Sequence, residues 1–367
     1  MDDAFEYVVI KEEGRFKTGV ETTAQYFKRT VEPSFVEERS RFNKWFNEYP
    51  QEEREEIKRR LSSNREVYYD IYYELLLFQL FKKQGFTVSI HPRVPKSLKC
   101  PDFLIEKGSF KCYVEATSIR RMADDEKRAE KNKELVYQAI NGIDTKGYIL
   151  FIEDFSLNTS RTVSGKSIAS QVVKGIEEGI KHQLSSFYFE IANKDYFLYV
   201  RATYIGGEYN PFENRHNIGA YGYSFYWGNR NSVFCKGFKE KAARYGALDY
   251  PYIVCVNSLH FLTQGDWEDI DEMLMKNLNL RNVDREEEIF SFNNSYTHKR
   301  VSAILFTQGV EFPYKDSTYR FVLHPKADLP IDILDFSLAN HYIVNGKIVR
   351  AEGKIISELV YPHLYEP

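Results

Sequence analysis

The feature that most constrains the fold is a change in the spacing of apolar residues at Gly85. The segment before it, NREVYYDIYYELLLFQLFKKQG, has helical spacing, and Asn64 and Gly85 are the expected N-cap and terminator. After it, FTVSIHP, PDFLIEK and FKCYVEATS have the spacing of strands, with a turn at Gly108 and Ser109. A helix followed by a strand and a hairpin predicts an α/β fold with a mixed sheet.

The segments on either side of this region divide the chain into three predicted parts. Residues 1–62 are predicted to be a mostly helical segment, because PSFVEERSRFNKWFNEY and QEEREEIKRRLS both have helical patterns. Residues 63–160 form the predicted core, which ends with the helix DDEKRAEKNKELVYQAING and the apolar strand GYILFIEDF, expected to be buried on both faces. Residues 161–367 alternate between helices and strands, which predicts an α/β extension or a second lobe of the same sheet.

Composition and charge exclude several classes of protein. A formal net charge of −3 gives no overall attraction to nucleic acid or to an anionic membrane, so such a partner requires a local patch. The N-terminus is acidic where a signal peptide is basic, and no apolar run has the length of a membrane span. The cysteines lack zinc-site spacing and are expected to be reduced; they are Cys100, Cys112, Cys235 and Cys255. These observations predict a cytoplasmic protein with no membrane partner.

Two carboxylates are predicted to meet at one edge of the hairpin. Asp102 opens one strand, and Glu115 and Thr117 lie on the same face of the next. Adjacent carboxylates repel each other unless a cation lies between them, and a hard divalent cation prefers oxygen ligands. The pattern therefore predicts a Mg²⁺ or Mn²⁺ site held by Asp102 and Glu115. The alternative is that Asp102 is a turn residue and that Glu115 is an exposed residue paired with a lysine.

A third carboxylate lies on the preceding helix. Glu74 stands beside an apolar stripe that includes Ile71 and Phe78 at helical spacing. A carboxylate in that setting is costly unless it is paired, exposed at an edge or bound to a metal. We therefore include Glu74 in the candidate site, with extension of its side chain into solvent as the alternative.

These residues carry a resemblance to a known family. Glu74 on a leading helix, the PD of Pro101 and Asp102, and the EAT that begins at Glu115, followed by a helix and an apolar strand, resemble the PD-(D/E)xK, or restriction-endonuclease-like, nuclease superfamily. The resemblance covers roughly residues 60 to 155. It implies a restriction-endonuclease-like mixed sheet flanked by helices, magnesium held by Asp102 and Glu115 with Glu74 assisting, and hydrolysis of DNA. A role in prokaryotic defence rests on this analogy alone.

Thr117 departs from the family pattern, which has a lysine at this place. The lysine helps to position the attacking water and offsets charge on the phosphate, whereas a threonine hydroxyl can hold a water but has no charge. Lys111 lies on the same strand face but about four residues back, roughly 13 Å away by strand rise. Lysines on the following helix are the predicted replacements; they are Lys127, Lys131 and Lys133.

A local basic patch makes DNA the expected partner. The segment from Lys82 to Lys99 contains no Asp or Glu, and its basic residues are Lys82, Lys83, Arg93, Lys96 and Lys99. Arg120 and Arg121 follow the carboxylate strand directly, as a phosphate backbone would require. The alternative for this run is a solvated loop. We leave His91 out of the catalytic set. The sequence is compatible with a homodimer and does not decide the oligomeric state.

Three functions follow from these patterns. The first is a Mg²⁺-dependent DNA endonuclease or exonuclease with Glu74, Asp102, Glu115 and Thr117 in its catalytic site. The second is a catalytically inactive protein with a nuclease fold that binds nucleic acid or a protein partner. The third is an interaction protein whose aromatic second half docks a partner. In that half, the segment 215–232 is predicted either to stack on bases or to pack on the sheet.

Overall fold

The computed structural model describes most of the chain. The described residues are 3–5, 22–63, 67–95, 97–119, 124–157, 163–206, 217–221, 230–259, 264–281, 283–308, 319–332, 336, 338, 340–344 and 347–362. Their helices are α1 (Thr23–Arg29), α2 (Pro33–Glu48), α3 (Gln51–Ser63), α4 (Val67–Lys83), α5 (Asp124–Asn141), α6 (Gly165–Lys181), α7 (Arg230–Ala242), α8 (Gln264–Leu278) and α9 (Ile356–Val360). None of these helices has the length and apolar character needed to cross a membrane.

The same residues form strands throughout the chain after α4. They are β1 (Thr87–Ile90), β2 (Phe103–Lys107), β3 (Phe110–Ile119), β4 (Tyr148–Leu157), β5 (Ser186–Ala192), β6 (Tyr196–Tyr204), β7 (Ile218–Tyr221), β8 (Tyr252–Ser258), β9 (Ser291–Phe292), β10 (Ser295–Tyr296), β11 (Ala303–Gln308), β12 (Tyr319–Leu323), β13 (Asn340–Val344) and β14 (Lys347–Ala351). The protein is therefore a mixed α/β protein.

The chain divides into two compact units. Unit 1 consists of Met1–Ala4, Arg41–Arg121 and Gly228–Pro367, and unit 2 consists of Phe5–Ser40 and Met122–Trp227. These divisions differ from the predicted ranges 1–62, 63–160 and 161–367. The reason is that the long segment after β3 builds a sheet of its own before the chain returns to unit 1.

Unit 1 is built on a mixed sheet of eight strands. Their order is β1-β2-β3-β8-β11-β12-β13-β14. The first three strands are antiparallel, β8 pairs in parallel with both β3 and β11, and β12 runs antiparallel to β11. The predicted turn between β2 and β3 is present, and Gly108 adopts φ 62°, a conformation that side chains with a Cβ disfavour.

Helices cover this sheet at its centre. On one face, residues of α7 and α8 form a core cluster with strand residues that include Tyr113, Val254 and Ile304. On the other side, α4 contacts β1 and β3, and the Thr307 hydroxyl on β11 donates to the Tyr73 hydroxyl at 3.0 Å. Every residue of β8 and of β11 is buried, as expected for central strands covered on both faces. A mixed sheet flanked by helices is thus confirmed.

The predicted core is wrong in one respect, because α5 and β4 do not belong to the eight-stranded sheet. Both lie in unit 2, where β4 joins a four-stranded sheet of order β5-β6-β4-β7. The helix and buried strand that complete the hairpin sheet are instead α7 and β8. The predicted full burial of β4 is also wrong, since outward residues such as Ile149 and Phe151 are only half-buried.

Unit 2 has a one-sided core. Inward residues of β4, β5 and β6 form a cluster with α5 and α6, including Val136, Ile168, Val172, Leu198 and Val200. The outward side chains of β5 and β6 alternate with them and are exposed or half-buried. Side chains that face the core therefore alternate with more exposed side chains along these strands, as expected for a sheet that is covered on one face only.

Candidate active site

The β2–β3 hairpin brings the two predicted carboxylates together. Its antiparallel register pairs Phe103 with Val114, which places Asp102 beside Glu115 at the next position. Asp102 Oδ2 accepts a hydrogen bond of 2.6 Å from the backbone N–H of Ala116. This bond fixes the Asp102 carboxylate across the start of the hairpin, next to the strand that carries Glu115.

Glu115 is the most enclosed charged group of the site. Its exposed fraction is 0 %, although it lies in the middle of a strand. Its Oε1 accepts hydrogen bonds from Lys241 Nζ at 2.7 Å and from Arg244 Nη1 at 2.6 Å. The Tyr245 hydroxyl lies 2.5 Å from Oε2 and 2.8 Å from the carbonyl oxygen of Cys100. Burial of a carboxylate is tolerated here because both of its oxygens have donors.

Helix α7 and the turn after it supply these donors. Phe234 and Phe238 pack into the core on this face of the sheet, and Lys241 and Tyr245 continue the same stripe at helical spacing. Gly237 permits the close approach, because a Cβ at this position would lie 2.5 Å from Cγ2 of Ile119 on β3. The apolar face of the helix therefore becomes cationic where it reaches Glu115.

Burial and neighbouring charges raise the pKa of two groups in the site, Asp102 and Tyr245. Burial, followed by the charges of Glu115 and Glu74, raises the pKa of Asp102 from 3.8 to about 7, against the opposing effects of the Ala116 N–H and Lys241. Burial and the Glu115 charge raise the pKa of Tyr245, so its hydroxyl keeps its proton at neutral pH. Negative charge around Asp102 is therefore only partly compensated by the protein.

Glu74 enters the site from α4 as one half of an ion pair. Arg60 on α3 donates two hydrogen bonds to it, from Nη1 to Oε2 at 2.8 Å and from Nη2 to Oε1 at 2.7 Å. The side chains of Arg60 and Glu74 are 28 % and 14 % exposed. The alternative prediction of a side chain extended into solvent is wrong, since Glu74 is held in a two-bond pair near Asp102.

Asp102 and Glu74, together with the two cations that contact Glu115, line a polar pocket of about 410 Å³ within unit 1. Its lining combines acids, bases and hydroxyl groups, contributed by Glu56, Arg60, Asp70, Tyr73, Glu74, His91, Asp102, Ala116, Thr117, Ser118, Lys241 and Arg244. Thr117 thus lies in the same pocket as Asp102, with a hydroxyl and no charge. A pocket in which carboxylates and cations converge can bind a ligand that carries both a phosphate and a metal ion.

The positive charge near Glu115 comes from a different helix than predicted. Lys133 lies on α5 in unit 2, where its ammonium is 5.8 Å from the centre of the Phe155 ring. The side chains of Lys127 and Lys131 lie outside the described residues. Lys111 forms an ion pair with Glu106 at 2.5 Å, in agreement with its exclusion from the site. The cations that reach the carboxylate are Lys241 on α7 and Arg244 after it.

The predicted nucleic-acid patch is partly described. Lys82, Lys83, Arg93 and Lys99 are exposed, whereas Lys96, Arg120 and Arg121 lie outside the described residues. His91 lines the pocket, and its Nδ1 is 3.3 Å from Glu53 Oε2. Exposed basic side chains therefore lie at the end of α4 and after β1, the elements that lead into the carboxylate hairpin.

A divalent cation such as Mg²⁺ needs several oxygen ligands that converge on one point. Within the described part of the chain, no group of three or more His, Cys, Asp or Glu side chains has the arrangement of a metal site. Mg²⁺ is usually held by one or two carboxylates and completes its shell with water and substrate phosphate. Asp102 fits this role, since burial and then the charges of Glu115 and Glu74 raise its pKa, and a bound cation would offset that repulsion. Glu115 fits it once one of its two cationic partners leaves Oε1.

Sequence analysis missed four residues of the site, which are Arg60, Lys241, Arg244 and Tyr245. Lys241 is separated from Glu115 by 126 positions, so no local motif connects them. The available signal was the segment KGFKEKAARYG before the buried strand PYIVCVNS, which repeats the arrangement of a helix and a strand expected after the hairpin.

Comparison of the chain with protein-family models, curated proteins and solved structures gives no match.

Proposed function

We propose that this protein is a Mg²⁺-dependent nuclease of the PD-(D/E)xK type that hydrolyses phosphodiester bonds in DNA. The observation that carries this proposal is the convergence of Asp102 and Glu115, on adjacent strands, with the ammonium of Lys241. Two carboxylates and one cation are the groups that metal-assisted phosphoryl transfer requires. Exposed basic residues on the neighbouring elements support DNA as the substrate.

Each side chain has a distinct role in this proposal. Asp102 and Glu115 hold Mg²⁺ or Mn²⁺, which supplies positive charge for the phosphate when it is bound. Lys241 takes the role of the lysine that Thr117 replaces and offsets negative charge at the same carboxylate. Thr117 can hold a water in the pocket through its hydroxyl. Arg60 positions Glu74, which adds negative charge close to Asp102.

The test compares cleavage by three variants. Asp102→Ala and Lys241→Met are each expected to lower cleavage of linear and circular DNA by about a hundredfold or more, because each removes an electrostatic element of the site. Lys111→Met is the matched control, since it removes a lysine from β3 that pairs with Glu106 instead. Circular dichroism would verify the fold of each variant. Cleavage retained by Asp102→Ala would rule out the proposed active site.

One observation favours a second function, the binding of nucleic acid without catalysis. Both oxygens of Glu115 already have donors from the protein, so the structure can neutralise this carboxylate without a metal. A binding protein of this kind would bind DNA in EDTA as tightly as in Mg²⁺, with an affinity that falls steeply with salt. Fluorescence anisotropy with a labelled duplex distinguishes the two functions, because the nuclease requires an effect of Mg²⁺ and the binding protein does not.

A further inference from the structure

Arg244 and Lys241 contact the same oxygen of Glu115 in different ways. Lys241 extends from α7 itself and its side chain is 20 % exposed, whereas Arg244 lies beyond the end of the helix and is 36 % exposed. The Arg244 guanidinium has five N–H donors, and its contact with Glu115 uses Nη1. Arg244 is therefore the more accessible of the two cations, and it lines the pocket.

Glu115 cannot keep all of its present partners and also bind a divalent cation. Tyr245 lies against Oε2, and the two cationic side chains lie against Oε1. A metal ion at Oε1 would stand beside two positive charges at hydrogen-bond distance, which is strongly unfavourable around a fully buried carboxylate. One of the cations has to leave, and Arg244 has the solvent exposure to do so.

We propose that Arg244 is an exchangeable counter-ion of Glu115, which competes with a divalent cation for Oε1 and binds a phosphate of the DNA backbone once it is released. This inference rests on the proposed function, because it assigns Glu115 to the metal. A guanidinium suits both roles, since its planar fork matches carboxylate and phosphate oxygens equally well. Metal and DNA binding are then coupled through the movement of one side chain.

The first experiment measures metal binding alone. Arg244→Met is expected to bind Mn²⁺ about tenfold more tightly than the wild type by calorimetric titration, because the metal no longer has to displace a charge-assisted hydrogen bond. Arg244→Gln, which keeps a donor and loses the charge, should lie between the two. Lys236→Met is the matched control, since it removes an exposed positive charge from α7, the helix that precedes Arg244, and should leave the affinity unchanged.

The second experiment measures the effect of metal on DNA binding. In Ca²⁺, which favours the same oxygen ligands, Arg244→Met should bind a labelled duplex more weakly than the wild type. The dependence of its DNA affinity on salt concentration should correspond to about one phosphate contact fewer. In EDTA the variant and the wild type should bind DNA equally, because Arg244 is then engaged with Glu115. A side chain with only a structural role would give the same loss in both conditions.

The outcomes separate this inference from the proposed function. Tighter Mn²⁺ binding by Arg244→Met together with a metal-dependent loss of DNA affinity supports the exchange. Unchanged or weaker Mn²⁺ binding by Arg244→Met, in a wild type that binds Mn²⁺ and cuts DNA, overturns the exchange and leaves the nuclease proposal intact. An absence of Mn²⁺ binding in both proteins, with no DNA cleavage, overturns both.

Discussion

A glutamate on a strand has opposite surroundings in the eight-stranded sheet and in the four-stranded sheet. Glu115 on β3 has an exposed fraction of 0 % and is surrounded by three donors from one helix and the turn after it. Glu153 on β4 has a side chain that is 38 % exposed and pairs with Arg201 on the neighbouring strand at 2.8 Å. Both are strand residues with a cationic partner, but only Glu115 lies in a sheet covered on both faces at that point.

This difference shows what a covered sheet demands of its polar residues. On the open face of unit 2, an acid stays in water and its ion pair contributes little to stability. On the covered strand β3, a carboxylate is tolerated only with a complete set of donors, and removal of one member leaves the others buried without partners. An apolar residue at position 115 would avoid that requirement, so the arrangement is better explained by the chemistry of the carboxylate than by stability.

The largest expected effect is the loss of Glu115. Glu115→Ala leaves Lys241 and Arg244 without their shared acceptor, and we expect the free energy of unfolding of unit 1 to fall by about 3–5 kcal/mol. Glu153→Ala, which breaks the exposed pair with Arg201, should give no measurable change. Urea denaturation followed by circular dichroism measures both. Similar small losses in the two variants would contradict the contrast between the sheets.

A smaller effect is expected from the proton on Asp102. Because burial and neighbouring carboxylates raise its pKa from 3.8 to about 7, the folded protein holds this proton at a pH where the unfolded chain has lost it. The resulting stability is complete below about pH 4 and is lost as the pH rises to about 7. Asp102→Asn removes this dependence. Its free energy of unfolding relative to the wild type should therefore be greater at pH 8 than at pH 4, by up to about 4 kcal/mol.

Thermal unfolding of Asp102→Asn and wild type across this pH range is the measurement. The same variant should be inactive if the proposed site is correct, so that stability at alkaline pH and activity change in opposite directions. If the stability of the two proteins has the same dependence on pH, Asp102 titrates normally. The pocket then lacks the excess of negative charge that raises the pKa of Asp102.

The smallest effect is expected on the open face of unit 2. Tyr188 is 57 % exposed, and its ring stacks on Tyr199 with centroids 5.5 Å apart. Tyr188→Ser should change the midpoint of thermal unfolding by no more than about 1–2 °C, because most of the ring is in water in the folded protein as well. A large loss of stability would indicate that this face is covered like that of unit 1, and the comparison between the two sheets would fail.

The sequence was informative wherever the relevant contacts were local. The spacing of apolar residues predicted α4 and the strands β1, β2 and β3, and the short turn at Gly108 set the register that places Asp102 beside Glu115. The same patterns also predicted β8 as a buried strand and β11 as a strand. A hairpin is a local structure, so its geometry follows from the residues that form it.

Predictions failed where contacts are distant or where an apolar run has two explanations. Lys241 could not be connected with Glu115 because unit 2 separates them in the chain. The run YILFI in β4 was predicted to be covered on both faces, but its outward Phe151 packs against the Arg201 guanidinium, 4.1 Å from the ring centre, and stays half-buried. An aromatic residue on the outward face of a strand can be covered by a cationic side chain or by a second layer of the fold. The spacing of apolar residues alone does not distinguish these two cases.

The long separation between the two halves of the site also matters during synthesis. Tyr245 follows Glu115 by 130 residues, so β3 leaves the ribosome well before α7 and β8, which cover and pair with it. At about 5–20 residues per second, the interval is roughly 6–26 s. During that time the nascent chain presents an unpaired strand edge. The charges of Glu115 and of Asp102, which precedes the hairpin, would keep that edge hydrated and oppose premature association.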